Sequence, residues 1–343
     1  MTKRPTIADL AREAGVSVAT VNRVLKDRRL VREQTARRVC EAAHAIGYNA
    51  AGLMQQRAQR ILPEYRLGFI LRMPAEHFYQ DFAREIKAAV SAAQSFRGIP
   101  VVEFAPSHRP GDLVELLEDM GARCHAIAMM APDHPTVTAA VEEIKSNGTP
   151  VFSLLSDFAA GVREGYLGLN NRKVGRTAAW MFSKVATRPG KVAVLVAGHR
   201  FQGPELRETG FRSYFREKAP MFEVLDTRVN LDTRQTTYEA TLDVIQCESE
   251  LVGLYVTGGG TEGAIAALRE EGEGRNLLAI VNEITPESRA ALADDIITMA
   301  VATPLRLLCQ ELITLMARAI ETGTAEAPWQ TFFPFEIYLP ENI

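Results

Sequence analysis

Two stretches of the chain hold residue types whose spacing could do chemistry. The first is Ser17-Val18-Ala19-Thr20-Val21-Asn22-Arg23. On a helix, Val18, Ala19, Asn22 and Arg23 make two i, i+4 pairs side by side. That face suits a major groove, where an arginine near a helix N-terminus bonds the two acceptors of guanine and small apolar side chains meet a thymine methyl. An ordinary helical hairpin, packing this face on something else, is the competing reading. The second stretch is Gly258-Gly259-Gly260-Thr261-Glu262-Gly263, with Glu283 standing 20 residues beyond the last glycine. That spacing is the fingerprint of a dinucleotide-binding turn with its ribose-binding acid, which would mean hydride transfer with a nicotinamide cofactor. Against it, the motif lies late in the chain without a catalytic pair of side chains. No Walker lysine accompanies it, which disfavours phosphoryl transfer.

The first stretch needs two short helices to position it. Thr6 caps the first, with Asp9 three residues on. Ile7, Leu10, Ala11 and Ala14 fall on one apolar stripe. Gly15 supplies a left-handed stop, and Ser17 stands where the next helix needs its cap. Val21, Val24 and Leu25 give that helix a buried face. A third helix is predicted from about Arg32 to Ile46, with Thr35, Val39, Ala42 and Ile46 inward and Gly47 ending it. In the loop before it, Arg28 and Arg29 are either phosphate contacts or a solvated turn. Residues 49–63 read as a linker whose two helical turns are too short to be stable alone. They would order against DNA or a second copy of the chain.

Charge is divided unevenly along the chain. Overall there are 39 basic and 42 acidic side chains, but residues 1–60 hold 12 Lys/Arg against 5 Asp/Glu, leaving 27 against 37 in the remainder. A basic head on an acidic body is the sequence sign of a nucleic-acid module joined to something else. The body, 64–343, alternates apolar strand-like runs with amphipathic helical stretches. The runs are Leu67–Leu71, Pro100–Phe104, Ala126–Ala131, Pro150–Leu155, Lys191–Ala197, Leu251–Thr257, Leu277–Val281 and Ile297–Ala302. Apolar strands between helices mean parallel sheets covered on both faces. Eight or more units fit two doubly wound lobes better than a β/α barrel. No run approaches the ~20 apolar residues of a membrane span, and no apolar segment of signal-peptide type follows Met1-Thr2-Lys3-Arg4. A cytoplasmic protein is therefore expected. Cys40, Cys124, Cys247 and Cys309 are scattered and the six histidines lack ligand spacing, so neither disulfides nor a metal is expected.

The run from Ile7-Ala8-Asp9-Leu10-Ala11 through Gly15-Val16-Ser17 to Asn22-Arg23-Val24-Leu25, continued by Thr35, Ala42-Ala43 and Ile46-Gly47-Tyr48, resembles the N-terminal signature of the lactose-repressor/galactose-repressor family of bacterial transcription regulators. The likeness extends more loosely over the whole chain. It implies a homodimer, a hinge helix entering the minor groove and a body like periplasmic sugar-binding proteins, with an effector clamped between two lobes. Residues 1–48 become the head, 49–63 the hinge, and 64–343 the body. The N-lobe is placed at about 64–165 and 303–325, the C-lobe at about 166–302 and 326–343.

Carried over residue by residue, Ser17, Thr20 and Asn22 stand at phosphate or groove contacts, Arg23 at the guanine reader, and Val18 and Ala19 at operator-choosing positions. Thr6 is counted with them. The family's wedge leucine, late in the hinge, is here Arg57, which leaves Leu53 or Met54 as the alternative wedge. Arg32 replaces the small hydroxyl residue that usually opens the third helix.

Open α/β lobes bind ligands at the carboxyl ends of their strands. Phe78 and Tyr79, just past the first strand, could face a sugar or pack in the core. The resemblance matches Asp157, Arg207 and Glu283 to effector-bonding positions, and the glycine turn at Gly258 to the lining of the cleft. Carboxylates and arginine suit vicinal hydroxyls because each can bond two at once. Arg163 and Asn170, near the lobe crossover, are weaker candidates. The expectation is an effector-responsive regulator, a repressor of carbohydrate-uptake or catabolic genes, whose homodimer binds a pseudo-palindromic operator. Its effector would be a monosaccharide, polyol or sugar acid, and no cofactor is expected. A dimer is preferred to a tetramer because no leucine heptad tail is seen. A transport solute-binding protein and an NAD-dependent oxidoreductase are the alternatives.

Overall fold

Short local signals build the head. In the computed structural model, which describes residues 5–26, 31–48, 62–198, 201–271, 276–325 and 327–343, helix α1 spans Ile7–Glu13, α2 Val18–Lys26 and α3 Glu33–Ala45. Thr6 and Asp9 form a capping box: the Asp9 amide donates to Thr6 Oγ1 at 3.3 Å and the Thr6 amide to Asp9 Oδ2 at 2.9 Å. Gly15 turns the chain at φ 61°, and Ser17 Oγ accepts from the Thr20 amide at 3.1 Å. Leu10, Ala11, Ala14, Val21, Val24, Ala36, Val39, Ala42 and Ala43 make the core. Of the expected inner stripe of α3, Val39 and Ala42 are buried and Ile46 packs against the core, while Ala36 is fully buried in place of Thr35, which is only partly so. Arg38 reaches back to donate to the Ala14 carbonyl at 2.8 Å, a cation closing the C-terminal end of α1.

The body, a separate unit from the head, holds two sheets. Among the described residues the first runs β12-β5-β4-β3-β1-β2, made of Trp329–Phe333, Gly165–Leu169, Val151–Leu154, Ala126–Met129, Glu64–Leu71 and Arg97–Phe104. The second runs β13-β11-β10-β9-β6-β7: Glu336–Tyr338, Met299–Ala302, Leu278–Asn282, Leu251–Val256, Lys191–Val196 and Glu223–Val224, with β8, Arg228–Val229, also on β6. The pairs β3–β1, β4–β3, β9–β6 and β10–β9 are parallel, and β13 is antiparallel on β11. Central strands such as Val151–Leu154 and Leu251–Val256 are buried along their whole length, because helices cover both faces.

Each of the eight apolar runs contains a strand. The lobe boundaries differ from expectation. Gly165–Leu169 and Trp329–Phe333 belong to the first sheet, through Phe152↔Gly165 and Trp329↔Gly165, so the chain leaves that lobe after Leu169 and Phe333. Helix Leu305–Thr322 packs on His77–Ala92 in the same lobe.

Candidate functional site

In the head, α2 presents Val18, Ala19, Asn22 and Arg23 to solvent, and Thr20 is half-buried. Val18, 44% exposed, is a branched apolar side chain left out of the core. Ser17 and Thr20 bond each other, with their hydroxyl oxygens 2.8 Å apart, so their first role is to cap the helix that carries the face. Thr6 does the same for α1. The candidates Arg28, Arg29, Leu53 and Arg57, and the hinge helix, lie outside the described residues.

In the body, a cleft of about 790 Å³, open at its mouth, lies between the lobes at the carboxyl ends of their strands. Of the expected effector residues, Phe78, Tyr79, Arg207, Gly258 and Glu283 line it. Asp157, Arg163 and Asn170 do not. Asp157 and Arg163 form a buried pair inside the first lobe, at 2.5 and 2.7 Å, and Arg163 also donates to the Trp329 carbonyl at 2.9 Å. Asn170 caps helix Asn171–Val185, accepting from the Lys173 amide at 3.1 Å.

Arg207 reaches the cleft floor because two helices touch backbone to backbone. A Cβ on Gly175 would come within 1.8 Å of the Arg207 carbonyl oxygen, so only glycine lets Asn171–Val185 approach Gln202–Lys218 so closely. The guanidinium then donates to Asn171 Oδ1 at 2.7 Å and to the Thr257 carbonyl at 2.8 Å, with Glu283 at 4.0 Å. Glu283 accepts from the amide and the hydroxyl of Thr303 at 2.8 and 2.7 Å. Burial raises its carboxyl above the usual range, although Arg207 and Thr303 oppose this. Burial also lifts the Tyr79 phenol to about 12.

Sequence reasoning missed the group that joins the lobes. Arg72, immediately after β1, donates to Asp232 Oδ2 of the second lobe at 3.0 Å. Its guanidinium lies 4.0 Å from the centre of the Phe201 ring, donates to the Tyr79 hydroxyl at 3.3 Å and is accepted by His108 Nε2 at 3.1 Å. Burial works against the charge of Arg72, and Tyr79 and Asp232 outweigh it. The Gly203 amide donating to Ser156 Oγ at 3.0 Å is a second bond across the cleft. One signal could have found this region: a charged residue directly after the apolar run Leu67–Leu71. Another is visible only in the backbone. Met73, Leu155, Asp232 and Glu283 all line the cleft with φ of 44°, 60°, 56° and 70°, a conformation that non-glycine residues hold only where surrounding structure enforces it.

The glycine turn is filled from within. The Gly259 amide donates to Asp232 Oδ1 at 2.8 Å, so a backbone donor that a dinucleotide site would turn to phosphate is already taken by a carboxylate. Gly260, at φ 79°, has no room for a Cβ, which would meet Thr237 Oγ1 at 2.0 Å. With Glu283 held by Thr303 and Arg207, neither half of the fingerprint is arranged for a nicotinamide cofactor. Among the described residues no group of side chains could hold a metal ion, and no helix is long and apolar enough to cross a membrane.

Comparison with known proteins agrees with both halves. Residues 6–50 match the bacterial regulatory proteins of the lacI family, and residues 68–325 match a periplasmic binding protein domain. The chain is 24% identical over 217 residues to the HTH-type transcriptional regulator GalS of Salmonella typhimurium (strain LT2), a match covering 62% of this chain and 60% of that one. It is 40% identical over 83 residues to the HTH-type transcriptional regulator RegA of Clostridium saccharobutylicum, 23% of each chain. These matches span less than two thirds of either relative's length. In three dimensions the chain is similar to GanP, a glucose-galactose binding protein from Geobacillus stearothermophilus. The TM-score is 0.73 at 14% identity, over 82% of this chain and 99% of that one, a likeness of fold.

Proposed function

We propose that this chain, which belongs to the periplasmic binding protein domain family through residues 68–325 and matches the lacI family of bacterial regulatory proteins over residues 6–50, is a cytoplasmic repressor whose homodimer binds a pseudo-palindromic operator of carbohydrate-uptake or catabolic genes. A sugar-class small molecule in the cleft controls it. The observation that carries the DNA half is the exposed face Val18, Ala19, Asn22 and Arg23 on a helix capped by Ser17. Arg23 is its base reader. Arg23→Ala should weaken cognate operator binding by ~1–3 kcal/mol and relax the preference at one base pair per half-site. A gel-shift titration showing unchanged cognate binding removes Arg23 from that role.

The effector half rests on the cleft. Arg207 and Glu283 from one lobe, and Phe78 and Tyr79 from the other, give bidentate polar groups and apolar ring surface to one ligand. Contacts such as Arg72–Asp232 exist only while the lobes are together. A ligand that favours closure therefore shifts the lobe equilibrium, and by linkage DNA shifts ligand affinity by the same factor. A thermal-shift screen of monosaccharides and polyols on the full chain tests this. The binding ligand, at 100 times its Kd, should stabilise the folded state by ~2.7 kcal/mol.

A further inference from the structure

Among the described residues, two carboxylates in the cleft form no ion pair. Glu76 stands at the start of helix His77–Ala92 in the first lobe, and Glu262 in the first turn of helix Thr261–Glu271 in the second. The other charges of the lining are matched: Asp232 to Arg72 at 3.0 Å, and Glu283 to Arg207 at 4.0 Å. The cleft thus holds four carboxylates against two guanidiniums. Glu76 and Glu262 also feel each other. After burial, Glu262 is the largest influence pushing the Glu76 carboxyl up, followed by Asp232.

An acidic cluster alone would say nothing about a ligand, but the same cleft has unfinished hydrogen bonding. Among the described residues, Arg72 Nε, Thr261 Oγ1 and Asn282 Oδ1 are buried without a partner, on cleft-lining residues only 6%, 4% and 3% exposed. Buried polar side-chain atoms are nearly always paired, so three in one cleft mark partners still to arrive. They comprise a donor, a hydroxyl and an acceptor, which is what the hydroxyls of a sugar ring complement.

The geometry points to an amino sugar as the effector, with ring hydroxyls meeting Arg72, Thr261 and Asn282 and a cationic amine meeting Glu76 and Glu262. This rests on the reading of the cleft as a sugar-class site and narrows it. A sugar acid would bring a fifth carboxylate against four, and a neutral hexose would leave Glu76 and Glu262 facing each other across the lobes.

Titration calorimetry on the full-length wild-type chain tests this. The ligands are D-glucosamine, D-galactosamine and D-mannosamine, their neutral parents, N-acetyl-D-glucosamine and D-glucuronate. One amino sugar should bind at least about tenfold more tightly than its neutral parent, the worth of charge assistance in one hydrogen bond. N-acetyl-D-glucosamine, which lacks the charge, should lose that advantage, and D-glucuronate should bind weakest. Glu76→Gln and Glu262→Gln should each shrink the ratio of amino-sugar to neutral-sugar affinity. A neutral parent or D-glucuronate binding as tightly as the amino sugars overturns the amine while the sugar-class reading stands. Binding by none of these ligands overturns both.

Discussion

Among the described residues the body contains two buried arginine–aspartate pairs, and they sit in opposite settings. Arg163–Asp157 lies within the first lobe, its side chains 2% and 9% exposed. Arg72–Asp232 joins the two lobes, its side chains 7% and 5% exposed. Burial does not tell them apart; saturation does. Asp157 also accepts from the Ser153 hydroxyl at 2.7 Å, the Phe158 amide at 3.0 Å and Gln330 Nε2 at 3.0 Å, tying strand β4 to β12. Nη1 of Arg163 donates to the Trp329 carbonyl, so each of its three guanidinium nitrogens has a partner. Among the described residues Arg72 Nε has no partner beside the open cleft, and Asp232 lies in the other lobe. A saturated pair within one lobe is scaffold. An unsaturated pair across a cleft is a latch.

Removing one partner of the saturated pair should have the largest effect. Asp157→Ala strands a guanidinium with no route to water and should cost about 3–5 kcal/mol in a urea titration. A loss below about 1 kcal/mol would erase the distinction between the pairs. Acid should act through the same residue. Burial alone would raise the Asp157 carboxyl, but hydrogen bonds from Arg163 and Ser153, the Arg163 charge and the Gln330 bond hold it below the usual range. A group depressed in the folded state gives its full stabilisation above the unfolded pKa of about 3.9 and loses it as pH falls through the folded value. The urea midpoint of the wild type should therefore fall more steeply than that of Asp157→Asn as the pH drops below about 4.

The latch should matter less to unfolding. When Arg72 or Asp232 is replaced by alanine the lobes can part and water reaches the survivor, and Asp232 still accepts from the Gly259 amide at 2.8 Å. A double-mutant cycle on Arg72→Ala and Asp232→Ala should give a coupling of about 1–2 kcal/mol in stability. Both single variants should widen the unliganded molecule in small-angle scattering. A coupling as large as that of Arg163 with Asp157, with no change in scattering, would make the second pair scaffold too.

These pairs also show what was legible in the sequence. The head was readable because its signals are local: a cap at Thr6, a left-handed glycine at 15, a cap at Ser17. Strands with long apolar runs were readable for the same reason. Gly165–Leu169 was missed because a five-residue run with two glycines makes no such signal, and its place follows from pairing with Phe152 and Trp329. Phe78, Tyr79, Arg207, Gly258 and Glu283 lie beside strand ends or helix starts, where topology puts ligands. Asp157 lies there as well, yet its lone pairs are consumed by Gln330, 173 residues away, and by Arg163. Arg72 was passed over because its partner is 160 residues distant. Position relative to a strand end can be read locally; which lone pairs remain free depends on long-range contacts.

The smallest effect should come from a third pair, which separates distance from environment. Arg269 and Asp294 approach to 2.6 Å, as close as the buried pairs, but their side chains are 47% and 56% exposed. Water already solvates both charges, and fixing two side chains in one geometry costs entropy, so the attraction is largely cancelled. A double-mutant cycle on Arg269→Ala and Asp294→Ala should give a coupling within about 0.5 kcal/mol. Raising the salt from about 0.1 to 1 M shortens the screening length from roughly 10 to 3 Å, which should remove most of that remainder. The Arg163–Asp157 coupling should hardly change, because ions do not reach a pair buried among Ser153, Gln330 and Trp329. If the exposed pair matched either buried one, short distance alone would account for all three, and neither saturation nor the cleft would distinguish scaffold from latch.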